Sequence, residues 1–382
     1  MLIQLQMAKR NSLFFLLLSF AFFYSCGSDK IAEQKNDQEQ VKLNYATCYK
    51  IFKKDNYKIL QLISDEKIIS NYILYSKNKP DVGIKNAIYI KTPVNRVAAL
   101  SSIYIGFINR INQSDKVIAV DNKNYIYNET IREKVNNKKN NELALNGVIN
   151  EEITLQTNPD VVFTYLTQSE IALNHKKLVN ANIPMITLSD HLENHPLGRA
   201  EWIKFIACFF EKEKLADSLF NVTARGYKSL KLFANLSKNK PTVLTEHKIN
   251  DAWYVPGGKS FMATLIADAH ADYCWKDDGH TGSLPLSFEE VYSKASNADY
   301  WFNLLFCKTK KDLVKLDTRY SSFKAFKEGK LFNNDLKVNS SGANDYWETG
   351  LTQPDLILSD LISIIHPELL SQNKVNYYRQ VK

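Results

Sequence analysis

Apolar and polar positions follow two rhythms along this chain. From Asn44 to Tyr75 they alternate with period two around turn residues, through Tyr45-Ala-Thr-Cys-Tyr-Lys-Ile-Phe, Asp55-Asn56, Tyr57-Lys-Ile-Leu-Gln-Leu-Ile and Asn71-Tyr-Ile-Leu-Tyr. That rhythm predicts antiparallel strands, a hairpin or meander at the start of the globular part. Beyond it, short unbroken apolar runs take turns with stretches of helical spacing. Arg96-Val-Ala-Ala-Leu-Ser-Ser reads as a buried strand, Ile103–Ile111 as an apolar helix and Val117-Ile-Ala-Val as a second strand. A helix from Glu151, the strand Asp160–Tyr165, a helix over Ile171–Asn180 and the strand Pro184-Met-Ile-Thr-Leu follow. Strand, helix, strand at this spacing implies parallel pairing in a small α/β lobe.

Pro196–Phe210 is a further helix and feeds a longer one over Glu211–Ser237. There Leu215, Leu219, Val222, Leu230 and Phe233 recur in steps of three and four, with one gap at Gly226. No proline falls between Pro196 and Pro241. At 1.5 Å per residue the rod would run for roughly 40 Å, more than one small lobe needs. We read it as a strut between two lobes. The second lobe starts with the strand Thr242-Val-Leu-Thr-Glu, then a loop, a helix from Ser260 through Ala271 and a helix from Phe288. The strand Tyr300–Leu305, a helix over Ser321–Glu328, a short strand at Leu331-Phe332 and an amphipathic segment Gln353–Ile365 complete it. One unit occurs on both sides of the strut. Asn150-Glu-Glu through Asn158-Pro-Asp to Phe163 and Phe288-Glu-Glu through Asn297-Ala-Asp to Phe302 share an acidic helix start, about two turns, Asn-x-Asp and an apolar strand. Repeated helix-to-strand joints are common in α/β proteins, so the likeness gains weight from its symmetric placement. The expected fold class is α/β: two Rossmann-like lobes joined by a single long backbone helix, with extra N-terminal antiparallel strands.

Composition changes this picture little. A chain of 382 residues, 45% hydrophobic, supports two domains with proper cores. Its net charge of +8 comes from scattered lysines with only short clusters such as Lys138-Lys139, which argues against nucleic-acid binding. The five cysteines, Cys26, Cys48, Cys208, Cys274 and Cys307, form no CxxC pair, and one bridge among the last four stays open.

The N-terminus says more. Lys9 and Arg10 precede an apolar run from Leu13 to Phe23, the length of a signal-peptide core and short for a membrane span. It ends in Phe23-Tyr24-Ser25-Cys26-Gly27-Ser28, which resembles a bacterial lipobox, with Cys26 as the lipidated first residue of the mature chain. Tyr24 departs from the small residue usual there. Ile31–Lys42, rich in Gln, Lys, Asp and Glu, reads as a solvated tether. The expected divisions are a leader at 1–25, lipidated cysteine and tether at 26–43, a first lobe with its leading strands at 44–210, the backbone helix at 211–237 and a second lobe at 238–382. The expected location is the cell envelope, exported and lipid-anchored.

Two α/β lobes on one rigid helix in an exported lipoprotein resemble the helical-backbone (class III) substrate-binding proteins of ABC transporters, in the cobalamin and ferric-siderophore branch. Arg96-Val-Ala-Ala-Leu-Ser, Asn158-Pro-Asp-Val-Val-Phe, Gly198-Arg-Ala-Glu-Trp-Ile-Lys-Phe-Ile-Ala, Trp253-Tyr-Val-Pro-Gly-Gly-Lys-Ser-Phe and Gly342-Ala-Asn-Asp-Tyr-Trp-Glu carry the resemblance, which runs from about Ala87 to Tyr378. It implies capture of an iron complex (siderophore or haem) or cobalamin, and delivery to an ABC permease and its ATPase by a monomer without cofactor or catalysis. It also implies that a glutamate on each lobe docks against permease arginines, which singles out Glu151 and Glu152 on the first lobe and Glu289 and Glu290 on the second. Carboxylates at a helix start also cap it and favour its dipole, whatever the function.

Ligands of α/β sheets sit outside the carboxyl ends of strands. The loops expected there are aromatic: Tyr104, Tyr125, Tyr127, Tyr165, Trp253, Tyr254, Tyr346 and Trp347. Flat rings suit a large planar or catecholate ligand, although most of 20 Phe, 20 Tyr and 5 Trp must be core. Tyr165, Tyr254 and Trp347 are favoured by their place in the resemblance. Pro256-Gly-Gly-Lys-Ser260 looks like a phosphate loop, but Trp253 stands where GxxxxGK[ST] requires glycine. We assign that loop to close approach of backbone to ligand. His191 and His195 have the i, i+4 spacing of a metal pair, yet they fall in a loop before Pro196 with no third histidine; zinc or manganese capture on the same scaffold is the alternative. GxSxG and HExxH are absent, so an enzyme on a two-lobe scaffold is the weaker rival, and a structural lipoprotein another.

Overall fold

The computed structural model describes residues 39–145, 148–370 and 374–382, so the leader, Cys26 and most of the tether lie outside the described residues. The period-two region folds as expected into strands Tyr49–Lys53, Tyr57–Ser64 and Lys67–Tyr75, paired antiparallel in sequence. Glu39–Gln40 adds an antiparallel edge on one side, and Ile88–Lys91 pairs parallel on the other. One face of this sheet rests on the helix Pro196–Cys208, with the ring of Tyr49 4.8 Å from Trp202 and 5.3 Å from Phe205.

The first lobe holds a parallel sheet in the order Met185–Thr187, Val161–Thr164, Val97–Ala99, Val117–Val120, Asn141–Glu142. In the second lobe the order is Asp272–Tyr273, Thr242–Thr245, Tyr300–Phe302, Leu331–Asn333, Arg379–Gln380, the last strand alone being antiparallel. The two acidic-start helices, Glu151–Thr157 and Phe288–Ala295, each lead into the strand that sits beside the lobe's first strand. The shared Asn-x-Asp has a matching physical role in both. The Asp160 carboxylate accepts N–H bonds from Asn95 (2.7 Å) and Arg96 (3.0 Å), and the Asp299 carboxylate accepts the backbone N–H (2.8 Å) and the hydroxyl O–H (2.9 Å) of Thr242. Each aspartate thus pins the chain as it enters the first strand of its lobe.

Several features differ from the expectations: the helix expected over Ser321–Glu328 is a single turn, Lys324–Lys327, and the helices Glu129–Asn136 and Lys310–Leu316 stand where none was expected. The helix expected over Ile171–Asn180 is two, Gln168–Asn174 and Lys176–Asn180, parted at His175. The stretch read as a loop after Thr245 forms a three-stranded antiparallel sheet of Lys248–Ile249, Ala252–Pro256 and Ser283–Leu286. The long helix spans Glu213–Ala234, about 33 Å, and buries Ala216, Phe220, Thr223, Ala224, Tyr227 and Ala234. Val222, expected on its inner face, is 55% exposed, while Leu215, Leu219, Leu230 and Phe233 are half-buried at the margins. Small residues set that face because two helices, Pro196–Cys208 and Pro354–Ile365, pack closely along it. Gly226 lets Asp355 of the second of these approach, its Oδ2 lying 3.2 Å from where a Cβ would stand.

Pro196–Cys208 is the most enclosed element, with nearly every residue buried. Its charged members are therefore paired. Glu201 accepts N–H bonds from Asn44, Tyr45 and Ala46, and Lys204 Nζ lies 3.1 Å from its carboxylate. Buried Glu193, just upstream, takes the N–H groups of Thr47 and Cys48, each at 2.9 Å. Five successive backbone N–H groups are thus clamped by two buried carboxylates, and the segment 44–48 becomes a strap across the middle of the molecule. Cys48, Cys208, Cys274 and Cys307 are all free thiols. One buried cluster runs from Tyr49 through Val97, Trp202 and Phe220 to Trp253 and Leu358, so both lobes share it.

Candidate functional site

Each parallel sheet reverses its strand order at one point, and such points open a crevice beyond the carboxyl ends. In the first lobe the crevice lies between Val97–Ala99 and Val161–Thr164, whose chains run on to Ser101 and Tyr165. In the second it lies between Thr242–Thr245 and Tyr300–Phe302, running on to Glu246 and Asn303. Two adjoining cavities occupy this region. One, of about 360 Å³, is lined by Ser101, Tyr104 and Tyr165. The other, of about 230 Å³, is lined by Glu246, Asn303 and Tyr346. Both are walled by His191, Arg199, Trp347 and Leu351, so together they form one cleft between the lobes.

The cleft gathers four of the eight aromatic candidates. Tyr165 and Trp347 are each 48% exposed and line the larger cavity together. Tyr104 is buried in its wall, with its hydroxyl near the Leu188 carbonyl at 3.5 Å, and burial carries its phenol well above the ordinary value. Tyr346 is buried behind Trp347, edge to face at 4.9 Å, and braces it. Tyr254, Tyr125 and Tyr127 line neither cavity. Trp253 is 0% exposed, stacks on Trp301 at 5.5 Å and donates Nε1–H to the Thr245 carbonyl at 3.0 Å. It is a core ring, contrary to the expectation of a ligand contact, because Ala252–Pro256 is a strand: alternate side chains point to opposite faces, Trp253 and Val255 inward and Tyr254 outward.

The Gly257-Gly258 loop is also reassigned. A Cβ on Gly257 would lie 2.3 Å from the His280 carbonyl oxygen, and one on Gly258 would lie 2.4 Å from that of Asp278. Gly257 and Lys259 donate their N–H groups to Gly282 and His280. The close approach is to the protein's own backbone, and those donors are spent there. His191 and His195 diverge as well. His195 caps Pro196–Cys208, its Nδ1 accepting from Leu197 N at 3.0 Å, while His191 lines both cavities.

Sequence reasoning passed over Asp190, Arg199, Glu246 and Asn303. Burial pushes Glu246 up to about 8, against a bond from Asn303, so it is largely protonated at neutral pH. Burial also raises Asp190, with the Arg199 charge opposing. Behind Trp347, buried Glu348 accepts the N–H groups of Tyr127 (2.7 Å) and Asn128 (3.0 Å), and burial carries it to about 7. Through this contact the segment bearing Trp347 is bound to the first lobe.

The four acidic candidates divide by environment. The Glu151 carboxylate accepts the Lys177 N–H at 3.1 Å, and Glu290 closes a capping box with Ser287. Glu152 and Glu289, each the second residue of its helix, are largely exposed and paired only with surface cations, Lys177 at 3.6 Å and Arg319 at 2.9 Å.

Comparison with known proteins bears on this arrangement. An uncharacterized lipoprotein of Methanocaldococcus jannaschii is 29% identical over 300 residues, 76% of this chain and 69% of its own. The fold resembles a possible iron-binding periplasmic solute-binding protein of Staphylococcus epidermidis (TM-score 0.55, 17% identity, 72% of this chain, 100% of that one). It also resembles a periplasmic haem-binding protein of Pseudomonas aeruginosa (TM-score 0.56, 15% identity, 76% and 98%). A family model described as periplasmic binding protein matches residues 97–338. That match takes in well over half of the chain and the four strands that border the two crevices, and the protein accordingly belongs to the periplasmic binding protein family, a family of solute binders rather than enzymes.

Proposed function

We propose that the protein captures an iron complex, a siderophore or haem, or else cobalamin, in the interlobe cleft and delivers it to an ABC permease driven by its ATPase. The observation that carries this reading is the pairing of two half-exposed rings, Tyr165 from the first crevice and Trp347 from the crossing segment, in one cavity. Rings so placed suit a flat or aromatic chelate by stacking or phenol hydrogen bonds. The names of the structural relatives, iron-binding and haem-binding, point the same way. Membership of the family makes the protein extracytoplasmic. In our reading it is a monomer held at the envelope by lipid on Cys26, with a leader at 1–25 and a tether to 43. The lobes at 44–210 and 238–382 turn on the helix between them, and closure is small because they share one core.

Docking falls to Glu152 and Glu289, since Glu151 is occupied at the start of the neighbouring helix Lys176–Asn180 and Glu290 in capping its own helix. Native mass spectrometry of the protein with mixed siderophores, haem and cobalamin identifies the ligand. Trp347→Ala then weakens it by roughly 1–3 kcal/mol; unchanged affinity in a folded variant would move the site elsewhere. Reversing both Glu152 and Glu289 to Lys leaves ligand affinity intact and abolishes uptake in reconstituted transporter. Normal uptake would leave surface ion pairing and the helix dipole as the sufficient account of both.

A further inference from the structure

We propose that Arg199 is the anchor for an anionic arm of the ligand, a carboxylate above all, so that the cargo is a ring-bearing chelate with at least one free acid group. This rests on the cleft being the ligand site. Arg199 stands in the first turn of Pro196–Cys208 and lines both cavities, which places it where they meet. Its side chain is only 13% exposed. Nε–H donates to the Asp190 carbonyl at 3.1 Å, the Asp190 carboxylate lies 3.7 Å away, and the guanidinium sits over the Phe261 ring at 4.9 Å. Those contacts fix the plane from one lobe and from the other. Nη1 and Nη2 have no hydrogen-bond partner among the described residues, although the group is mostly removed from bulk water.

A guanidinium held in this state presents a rigid fork of donors, and a carboxylate matches it with two parallel bonds. The neighbouring acids do not compete. Glu193 has its oxygens taken by Thr47, Cys48 and the Trp202 indole. Asp190 is engaged on the Nε side, and Glu246 is largely uncharged at neutral pH. An entering anion therefore meets the Nη edge of Arg199, with the Asp190 carboxylate set on the opposite, Nε edge. Because Arg199 stands on the enclosed helix Pro196–Cys208 and not on a loop, its place where the two cavities meet is fixed by packing.

The test compares iron protoporphyrin IX with its dimethyl ester, and a carboxylate-rich ferric siderophore with a neutral ferric trihydroxamate and with cyanocobalamin, on wild type, Arg199→Gln, Arg199→Lys and Trp347→Ala. We expect the acid-bearing chelate to outbind its ester on wild-type protein. Arg199→Gln should weaken it roughly 10- to 100-fold, the range for hydrogen bonds to a charged group, with partial recovery in Arg199→Lys and little change for uncharged chelates. Equal binding of acid and ester to wild type needs no variant to fold and overturns the proposal. Binding confined to uncharged chelates, and sensitive to Trp347→Ala, overturns Arg199 and keeps the cleft. Binding of none of the probes, or binding indifferent to Trp347→Ala, overturns the cleft reading and this proposal with it.

Discussion

The first lobe packs its sheet with Val97, Ala98, Val162 and Met185, whereas the second packs its sheet with Trp253, Trp301, Tyr320 and Phe323. Both have the acidic helix start, the aspartate that pins the first strand and a crevice beside that strand. Besides the antiparallel last strand and the added three-stranded sheet of the second lobe, the filling differs. Phe163 is the one ring on the strands of the first sheet, whereas Tyr273, Tyr300, Trp301, Phe302 and Phe332 stand on those of the second. Tyr165, the ring the first lobe offers to the cleft, extends past a strand end, and the ring-rich second lobe keeps most of its aromatics inside. Aromatic density thus locates a core; the position of a ring relative to the carboxyl edge locates a site.

The largest test of that contrast is Trp253→Ala, which leaves a hole in the second lobe and should cost about 3–5 kcal/mol in denaturant unfolding. Trp347→Ala should leave unfolding nearly unchanged while ligand binding falls. If the two variants unfold alike, core and site rings are not distinct. A smaller effect is expected where the lobes meet. A Cβ on Gly106 would lie 1.9 Å from the Glu348 carbonyl oxygen, so Gly106→Ala must displace the segment bearing Trp347. We expect a loss of about 1–3 kcal/mol accompanied by weaker ligand binding. Gly279→Ala, which meets nothing within 4 Å, serves as the control. Loss of stability without loss of affinity would show that the junction does not set the cleft.

The smallest effect is a slope with pH. Glu246 and Glu348 are raised above the ordinary 4.5, to about 8 and about 7. The folded protein keeps protons there that the unfolded chain has released, so these groups favour folding at low pH and that advantage is lost as pH rises through 7 and 8. The histidines with depressed values, His195, His247 and His270, act below 7, while burial raises the thiols of Cys48, Cys208, Cys274 and Cys307, which add to the fall only as the pH nears 9. Thermal unfolding should drop by a few degrees between pH 7 and 9, and Glu246→Gln should flatten the upper part. A slope unchanged in that variant would assign it to another group.

Much of the fold is legible because period two and strand–helix spacing are local. The misreadings arose where the decisive partner is distant. Val222 has the right spacing for an inner face, but the faces of Pro196–Cys208 and Pro354–Ile365 choose Ala216, Phe220 and Ala224 instead. Trp253-Tyr254 sits beside a Pro-Gly-Gly turn and reads as loop until Ser283–Leu286 pairs with it. Arg199 carried a signal that spacing analysis did not use. Pro-Leu-Gly-Arg-Ala-Glu-Trp-Ile-Lys holds three charges in an otherwise apolar helix, and a buried charge needs a partner. Glu201 finds the strap, Lys204 finds Glu201 and Asp217, and Arg199 alone retains free donors toward open space.

The strap has a mechanical meaning. The chain enters the fold at Glu39–Gln40, paired with Phe52 and Lys53, and Asn44–Cys48 behind that edge is held by Glu193 and Glu201. The leading sheet is thereby fastened to the helix Pro196–Cys208 by two carboxylates that belong to neither crevice edge.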